Sequence, residues 1–130
     1  MQETRGAAPL LCSIALALVL ARAAPARAAA EPAAAPHPVS YREDVAPIFD
    51  RWCISCHGAH EVQGGLRLDS FQDVLRGGDA GPAVIAGDPA GSLLVAKIER
   101  RHHPSMPPRR RLPAAAITRI RAWIAAGTSP

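Results

Sequence analysis

The chain has 130 residues, of which 48% are hydrophobic and 20% are charged, and its formal charge is +4 at pH 7. This length predicts one small domain. We read no affinity for nucleic acid or membranes into the basic balance, because part of the excess lies in an N-terminal segment that we expect to be removed.

That segment, residues 1–28, has the pattern of an export signal. Arg5 supplies a weak positive start, residues 10–21 are an apolar run, and Ala26-Arg27-Ala28 fits a small-x-small cleavage site. The uncharged span of residues 6–21 has 16 residues, fewer than the ~20 needed to cross a bilayer. We therefore predict a periplasmic protein without a stable membrane span, and an uncleaved anchor is the alternative.

Cleavage after Ala28 leaves 102 residues with a formal charge of +2, and it removes Cys12. Cys53 and Cys56 then remain as the only cysteines. Residues 29–39 are rich in Ala and Pro and predict a flexible linker, which leaves residues 40–130 as the folded domain. A domain of this size has a limited apolar core and often depends on a cofactor.

The first helix of this domain is predicted to start at Tyr41, because residues 40–43 have the capping-box pattern. An apolar face at helical spacing follows, made of Val45, Ile48, Phe49 and Trp52. Pro47 removes a helical hydrogen bond, so the helix either kinks there or starts at Asp44 with Pro47 in its first turn. Both versions lead the chain directly into Cys53.

Three more helices are predicted further along the chain. Ser70 caps a short one that Gly77 ends, residues 92–100 form the next, and Pro113 opens a last one that Gly127 ends. The connecting segments are turns and loops, over residues 64–69, 79–89 and 102–112. These elements predict a small all-α fold of about four short helices with long loops.

The first helix leads into Cys53-Ile54-Ser55-Cys56-His57, which has the pattern of a covalent haem attachment site. The two thiols can form thioethers to the haem vinyl groups, and the imidazole that follows them is then the proximal iron ligand. A chance match is rare, because the order of the residues, the spacing of the two cysteines and the histidine directly after them must all agree with the pattern. The pattern therefore predicts one covalently bound haem c with its iron.

Three other interpretations of the same residues stay open at this point. A thioredoxin-like pair also uses C-x-x-C, although no strand precedes Trp52 as that fold requires. A zinc site would draw Cys53, Cys56, His57 and His60 from eight residues, without a second ligand pair on a longer loop. A disulfide between the two cysteines closes a very short loop and would stabilise the chain little.

The iron in such a site needs a second axial ligand or an open position. Met106 is the only methionine after the predicted cleavage point, 49 residues beyond His57 in a proline-rich loop. A thioether is a soft ligand that favours ferrous iron. We predict Met106 as the sixth ligand, with His102 and His103 as competing ligands and ordinary packing of Met106 as the alternative.

With these residues in place, the sequence resembles the planctomycete-type cytochrome c domain, a branch of the class I-like mono-haem cytochromes c. The resemblance runs from about Tyr41 to Gly127. It is carried by Asp44-Val45-Ala46-Pro47-Ile48-Phe49, Cys53-Ile54-Ser55-Cys56-His57-Gly58, Gly64-Gly65-Leu66-Arg67-Leu68-Asp69, Gly87-Asp88-Pro89 with Ser92-Leu93-Leu94, Met106-Pro107-Pro108, and Trp123-Ile124 with Gly127. It implies a fold in which the first and last helices cross beside the haem.

The resemblance also implies roles for individual residues. Cys53 and Cys56 would form the thioethers, and His57 and Met106 would be the axial ligands. The carbonyl of Pro82 would accept a hydrogen bond from Nδ1–H of His57 and so orient the ring. A simple turn at Gly81-Pro82 is the alternative.

The function predicted from these features is electron transfer without enzyme activity. An exported mono-haem cytochrome would carry single electrons between redox partner proteins through His/Met-ligated iron, and Arg109, Arg110 and Arg111 would attract an acidic partner or simply be solvated. A haem sensor or peroxidase-like protein with an open sixth site is the alternative. A thiol–disulfide oxidoreductase without haem is a third interpretation.

Overall fold

The computed structural model describes residues 37–130, so the predicted export signal and most of the predicted linker lie outside the described residues. The described part is helical, with two isolated backbone bridges and no β-strand, which agrees with the all-α prediction. No helix within residues 37–130 is both long enough and apolar enough to cross a membrane.

Four α-helices form the framework: α1 (Ala46–Trp52), α2 (Phe71–Arg76), α3 (Leu93–Ile98) and α4 (Ala114–Ala125). A 3₁₀ turn at Gln63–Gly65 interrupts the segment between α1 and α2. All four predicted helices therefore exist, although α3 is shorter than the predicted residues 92–100.

The entry into α1 resolves the conflict between the capping motif and the proline. A π-helical turn at Tyr41–Val45 precedes α1, and it ends with the Ala46 N–H bonded to the Tyr41 carbonyl. Pro47 then lies in the first turn of α1, where its missing N–H is not needed. The helical segment therefore starts at Tyr41 as predicted, and a wider turn accommodates Pro47 without a break.

The cap of this segment uses a different carboxylate from the one that the motif predicts. Ser40 Oγ accepts a hydrogen bond from the Glu43 N–H at 3.2 Å, as expected. The reciprocal bond comes from Asp44, whose Oδ2 accepts from the Ser40 N–H at 2.8 Å. The π-helical turn has one more residue than an α-turn, which fits this shift of the reciprocal acceptor by one position.

An aromatic cluster forms the part of the core where α4 packs against the π-helical turn at Tyr41–Val45. The Tyr41 ring lies 5.7 Å from Phe71, 6.0 Å from Trp123 and 6.2 Å from Phe49 between centroids, all in tilted geometry. Ser129 ties the two ends of this cluster together, since its carbonyl accepts from the Tyr41 N–H at 3.0 Å and from Trp123 Nε1 at 2.7 Å.

Candidate cofactor-binding site

The C-x-x-C-H motif leaves α1 as a tight turn. Cys53 follows Trp52, the last residue of α1, and its N–H still bonds to the Phe49 carbonyl at 2.8 Å. The Cys53 carbonyl then accepts from the N–H groups of both Cys56 (3.1 Å) and His57 (3.0 Å). This turn brings two thiols and an imidazole to one wall of a cavity.

That cavity has a volume of about 760 Å³, within the ~300–1,000 Å³ typical of cofactor sites. Its walls come from the motif, the segments around residues 63–68 and 78–83, helix α3, and the loop of residues 106–110. Many of the lining side chains are apolar, among them Trp52, Leu66, Leu68, Leu93, Leu94 and Ile98. An apolar cavity with two thiols and an imidazole on one wall fits a covalently attached haem in both size and chemistry.

Met106 lines the same cavity. Its N–H donates to the Lys97 carbonyl at 3.1 Å, which fixes the loop to the end of α3. The Lys97 side chain braces the same loop, since Nζ donates to the carbonyl of Pro104 at 3.2 Å. His102 and His103 are exposed and do not line the cavity. Of the three candidate sixth ligands, the structure therefore brings only Met106 to the cavity.

The hydrogen bond that orients His57 differs from the one that the resemblance implies. His57 Nδ1 lies 3.3 Å from the Leu66 carbonyl oxygen, and the His57 carbonyl accepts from the Leu68 N–H at 2.7 Å. Pro82 is exposed and does not line the cavity, and the role of its carbonyl as the acceptor stays a prediction. Leu66 is only nine residues from His57, on the segment that turns back at Gln63–Gly65.

The two cysteines are free thiols in the structure, and burial raises the pKa of Cys53 to about 12. Thiol–disulfide oxidoreductases depend on a cysteine whose pKa is lowered, because the thiolate is the nucleophile. The environment of Cys53 raises its pKa instead, which disfavours the thiolate. Within residues 37–130, no group of three or more His, Cys, Asp or Glu side chains is placed to hold a metal ion, including the zinc set of Cys53, Cys56, His57 and His60.

Sequence reasoning missed a contact between the two sides of the cavity. The Arg110 guanidinium lies over the Trp52 ring, 4.7 Å from its centroid, and the Arg51 guanidinium lies 5.8 Å from the same ring. Trp52 and Arg110 both line the cavity. Because they lie 58 positions apart in the sequence, no local pattern signals this cation–π contact.

Two thiols, an adjacent imidazole and a more distant thioether around one apolar cavity are the set of groups found in c-type cytochromes. A family model described as Planctomycete cytochrome C matches residues 53–110, from the first cysteine of the motif to Arg110. This match supports a planctomycete-type cytochrome c domain, and such a domain implies haem c as its cofactor. No curated protein and no solved structure gives a significant match.

Proposed function

We propose that the protein is an exported mono-haem c-type cytochrome that carries single electrons between redox partner proteins. The observation that carries the proposal is the common cavity of Cys53, Cys56, His57 and Met106, although Met106 is 49 residues beyond the motif. The match to the cytochrome family model supports the redox role. The predicted signal over residues 1–28 supports export.

Each of these side chains has a defined task in this proposal. Cys53 and Cys56 would hold the haem through two thioethers, and His57 and Met106 would bind its iron. If Nδ1–H of His57 donates to the Leu66 carbonyl, Nε2 keeps its lone pair for the iron. The bound haem supplies a reversible Fe(III)/Fe(II) couple. The soft thioether of Met106 would favour the ferrous state and so raise the reduction potential.

The remaining lining residues control the surroundings of the redox centre. The apolar side chains from α1, α3 and residues 66–68 exclude water, which keeps the polarity of the cavity low. The proposal assigns no catalytic residue, because an electron carrier breaks no bond in a substrate. The raised pKa of Cys53 is evidence against the thiol–disulfide interpretation.

The proposal is tested by producing the full chain in a bacterium whose haem-attachment machinery is active. Intact mass is expected to show one covalent haem on a chain that begins at Ala29, and the reduced spectrum is expected to be that of a low-spin c-type haem. The double variant Cys53→Ala/Cys56→Ala is expected to carry no covalent haem, whereas Ser55→Ala retains it. A colourless wild-type protein with two titratable thiols would contradict the proposal.

A further inference from the structure

The segment of residues 66–68 holds His57 by two contacts. His57 Nδ1 lies 3.3 Å from the Leu66 carbonyl oxygen, and the Leu68 N–H donates to the His57 carbonyl at 2.7 Å. A carbonyl can only accept, so the first contact is a hydrogen bond when Nδ1 carries the proton, which leaves Nε2 unprotonated. Leu66 and Leu68 also line the cavity beside His57. The position of this segment therefore sets the position of the imidazole.

One set of contacts that fixes the segment is exposed. Arg67 Nη2 lies 2.8 Å from Asp69 Oδ2, and Arg67 Nε lies 3.5 Å from Asp73 Oδ2. The Arg67 side chain is 38% exposed. Ion pairs in contact with water contribute little to stability and are weakened by salt. These pairs alone do not hold the segment firmly.

The other contact is buried. The Tyr41 hydroxyl donates to the Leu68 carbonyl at 3.0 Å, and the exposed fractions are only 7% for Tyr41 and 2% for Leu68. The Tyr41 ring is itself fixed between the rings of Phe71 and Trp123. A buried carbonyl that loses its donor keeps the full cost of its desolvation, so breaking this bond costs more than breaking an exposed ion pair. The aromatic cluster therefore holds the segment through one hydroxyl.

We propose that Tyr41 is a positioning residue for His57, although it does not line the cavity and lies 16 positions before the histidine. It holds Leu68 in place, and Leu68 and Leu66 hold the histidine. The inference rests on the proposed function, in which His57 binds the iron. A firm hydrogen bond from Nδ1–H makes the imidazole a more basic ligand, which favours ferric iron. Tyr41 thus keeps the reduction potential lower than it would be with a mobile segment.

The first test is a redox titration of haem-loaded Tyr41→Phe, which loses the hydroxyl and keeps the ring. The ferric–ferrous equilibrium is expected to shift about 2-fold toward ferrous, a rise of ~18 mV at ~59 mV per tenfold change. In the ferrous protein labelled with ¹⁵N-histidine, NMR is expected to show exchange of the His57 Nδ1 proton with water about 5-fold faster, as loss of one buried hydrogen bond implies. Unchanged values of both would overturn the inference.

The matched control is Ser129→Ala. Ser129 Oγ donates to the Val39 carbonyl at 2.7 Å, so this variant also loses one bond from a hydroxyl to a backbone carbonyl beside the same aromatic cluster. Its backbone bond to Tyr41 remains, and Ser129 has no hydrogen bond to residues 66–68. Each variant is expected to lower the folding equilibrium constant about 5-fold. Equal changes in potential would show that general loosening of the cluster is the cause and would overturn the inference.

A second control, Arg67→Gln, removes the exposed ion pairs. Because the loss of a positive charge itself changes the potential, the comparison uses exchange of the His57 Nδ1 proton. Its rate is expected to stay within about 2-fold of wild type, since exposed pairs contribute little. Faster exchange than in Tyr41→Phe would assign the positioning role to Arg67 instead.

The Leu68 amide gives a readout that needs no iron, because its N–H donates to His57. Its hydrogen exchange, measured in the full chain as purified, is expected to be faster in Tyr41→Phe than in Ser129→Ala. Equal rates in these two variants would overturn the inference. If no haem is attached, intact mass reports that failure of the proposed function, and the Leu68 comparison still reports whether Tyr41 holds the segment against His57.

Discussion

At the scale of single residues, Met106 is the side chain whose role decides what kind of haem site this is. The loop fixed to Lys97 brings it to the cavity, while His102 and His103 stay exposed. If Met106 is the sixth ligand, as proposed, its replacement by Ala would remove a ligand that favours ferrous iron, so the reduction potential should fall by at least ~59 mV, one tenfold change in equilibrium. Redox titration, with near-infrared spectra recorded alongside it, measures this change in reduction potential.

The matched control for Met106→Ala is the double variant His102→Ala/His103→Ala. Because neither histidine lines the cavity, its potential and spectrum should equal those of wild type. The methionine variant should also bind cyanide in its ferric form more readily than wild type does. A Met106→Ala protein with an unchanged potential would transfer the sixth-ligand role to a histidine or leave the site open in wild type.

Tyr41 provides a pH-dependent prediction at the same scale. Burial raises its pKa to about 12, with smaller contributions from nearby carboxylates, and its hydroxyl donates to the Leu68 carbonyl at 3.0 Å. Because the folded state favours the neutral phenol, its contribution to stability is complete below pH ~10, the pKa of an unfolded tyrosine. That contribution is then lost as the pH rises through about 12.

The measurement of this titration is unambiguous because Tyr41 is the only tyrosine in the chain. ¹³Cζ-labelled tyrosine should give one NMR resonance in the ferrous protein, with a midpoint well above pH ~10. Tyr41→Phe should remove this pH dependence of unfolding and cost ~1 kcal/mol at neutral pH, since the Leu68 carbonyl loses its partner. A midpoint near the ordinary value would show that the phenol is solvated.

At the scale of elements, the loop of residues 99–113 is held against the end of α1 by Arg110 and Trp52. A cation–π contact at a partly exposed site contributes ~0.5–1 kcal/mol. Arg110→Gln should therefore open the loop more often and speed the binding of imidazole to the ferric protein by about 2–5-fold, as that energy implies. Stopped-flow mixing measures the rate, and imidazole at pH 8 is neutral, so the lost charge has little influence.

Arg111→Gln is the control for this contact. Arg111 is exposed and adjacent in sequence, but it does not line the cavity of Trp52 and Cys53. Its imidazole rate should match that of wild type. Equal acceleration in both variants would mean that loss of a positive charge, rather than loss of the contact with Trp52, opens the loop.

The helices were predictable from the sequence because their signals are local. Ser70 Oγ accepts from the Asp73 N–H at 3.2 Å as the cap predicts, and Gly77, with φ of 78°, ends α2. The π-helical turn before Pro47 was not predictable, because the capping box fits an α-helical start equally well. Leu75 in α2 is 40% exposed, which periodicity could not predict, because a six-residue helix has too few turns to define a buried face.

At the scale of the whole molecule, the candidate site was predictable where it consists of a short motif or of a residue type that occurs only once after the predicted cleavage point. The two cysteines and the histidine of the motif and the single downstream methionine all line the cavity. The acceptor for His57 was not predictable, because a backbone carbonyl has no sequence signature and its position depends on how residues 63–66 turn. The pairing of Trp52 with Arg110 depends likewise on tertiary structure.

The buried residues form one continuous core, of which only part lines the cavity, and removal of the cofactor should distinguish the two parts. The aromatic cluster of Tyr41, Phe49 and Trp123 does not line the cavity and is held by its own ring contacts and by Ser129. The walls from residues 78–83, 93–98 and 106–110 would lose the group they enclose. Cys53→Ala/Cys56→Ala should therefore expose the amides of these walls to hydrogen exchange.

In that double variant, amides of residues 41–49 and 120–128 should keep more protection than the cavity walls, because local unfolding starts where apolar contacts are fewest. Ser55→Ala, which keeps both thiols, should exchange like wild type throughout. Equal loss of protection in both regions would mean that the domain folds as one unit only around its cofactor. A domain of about 100 residues can depend on its cofactor in this way, because its net stability can be as low as ~5 kcal/mol. The exchange pattern therefore distinguishes a domain with a part that is stable without the cofactor from one that folds only around it.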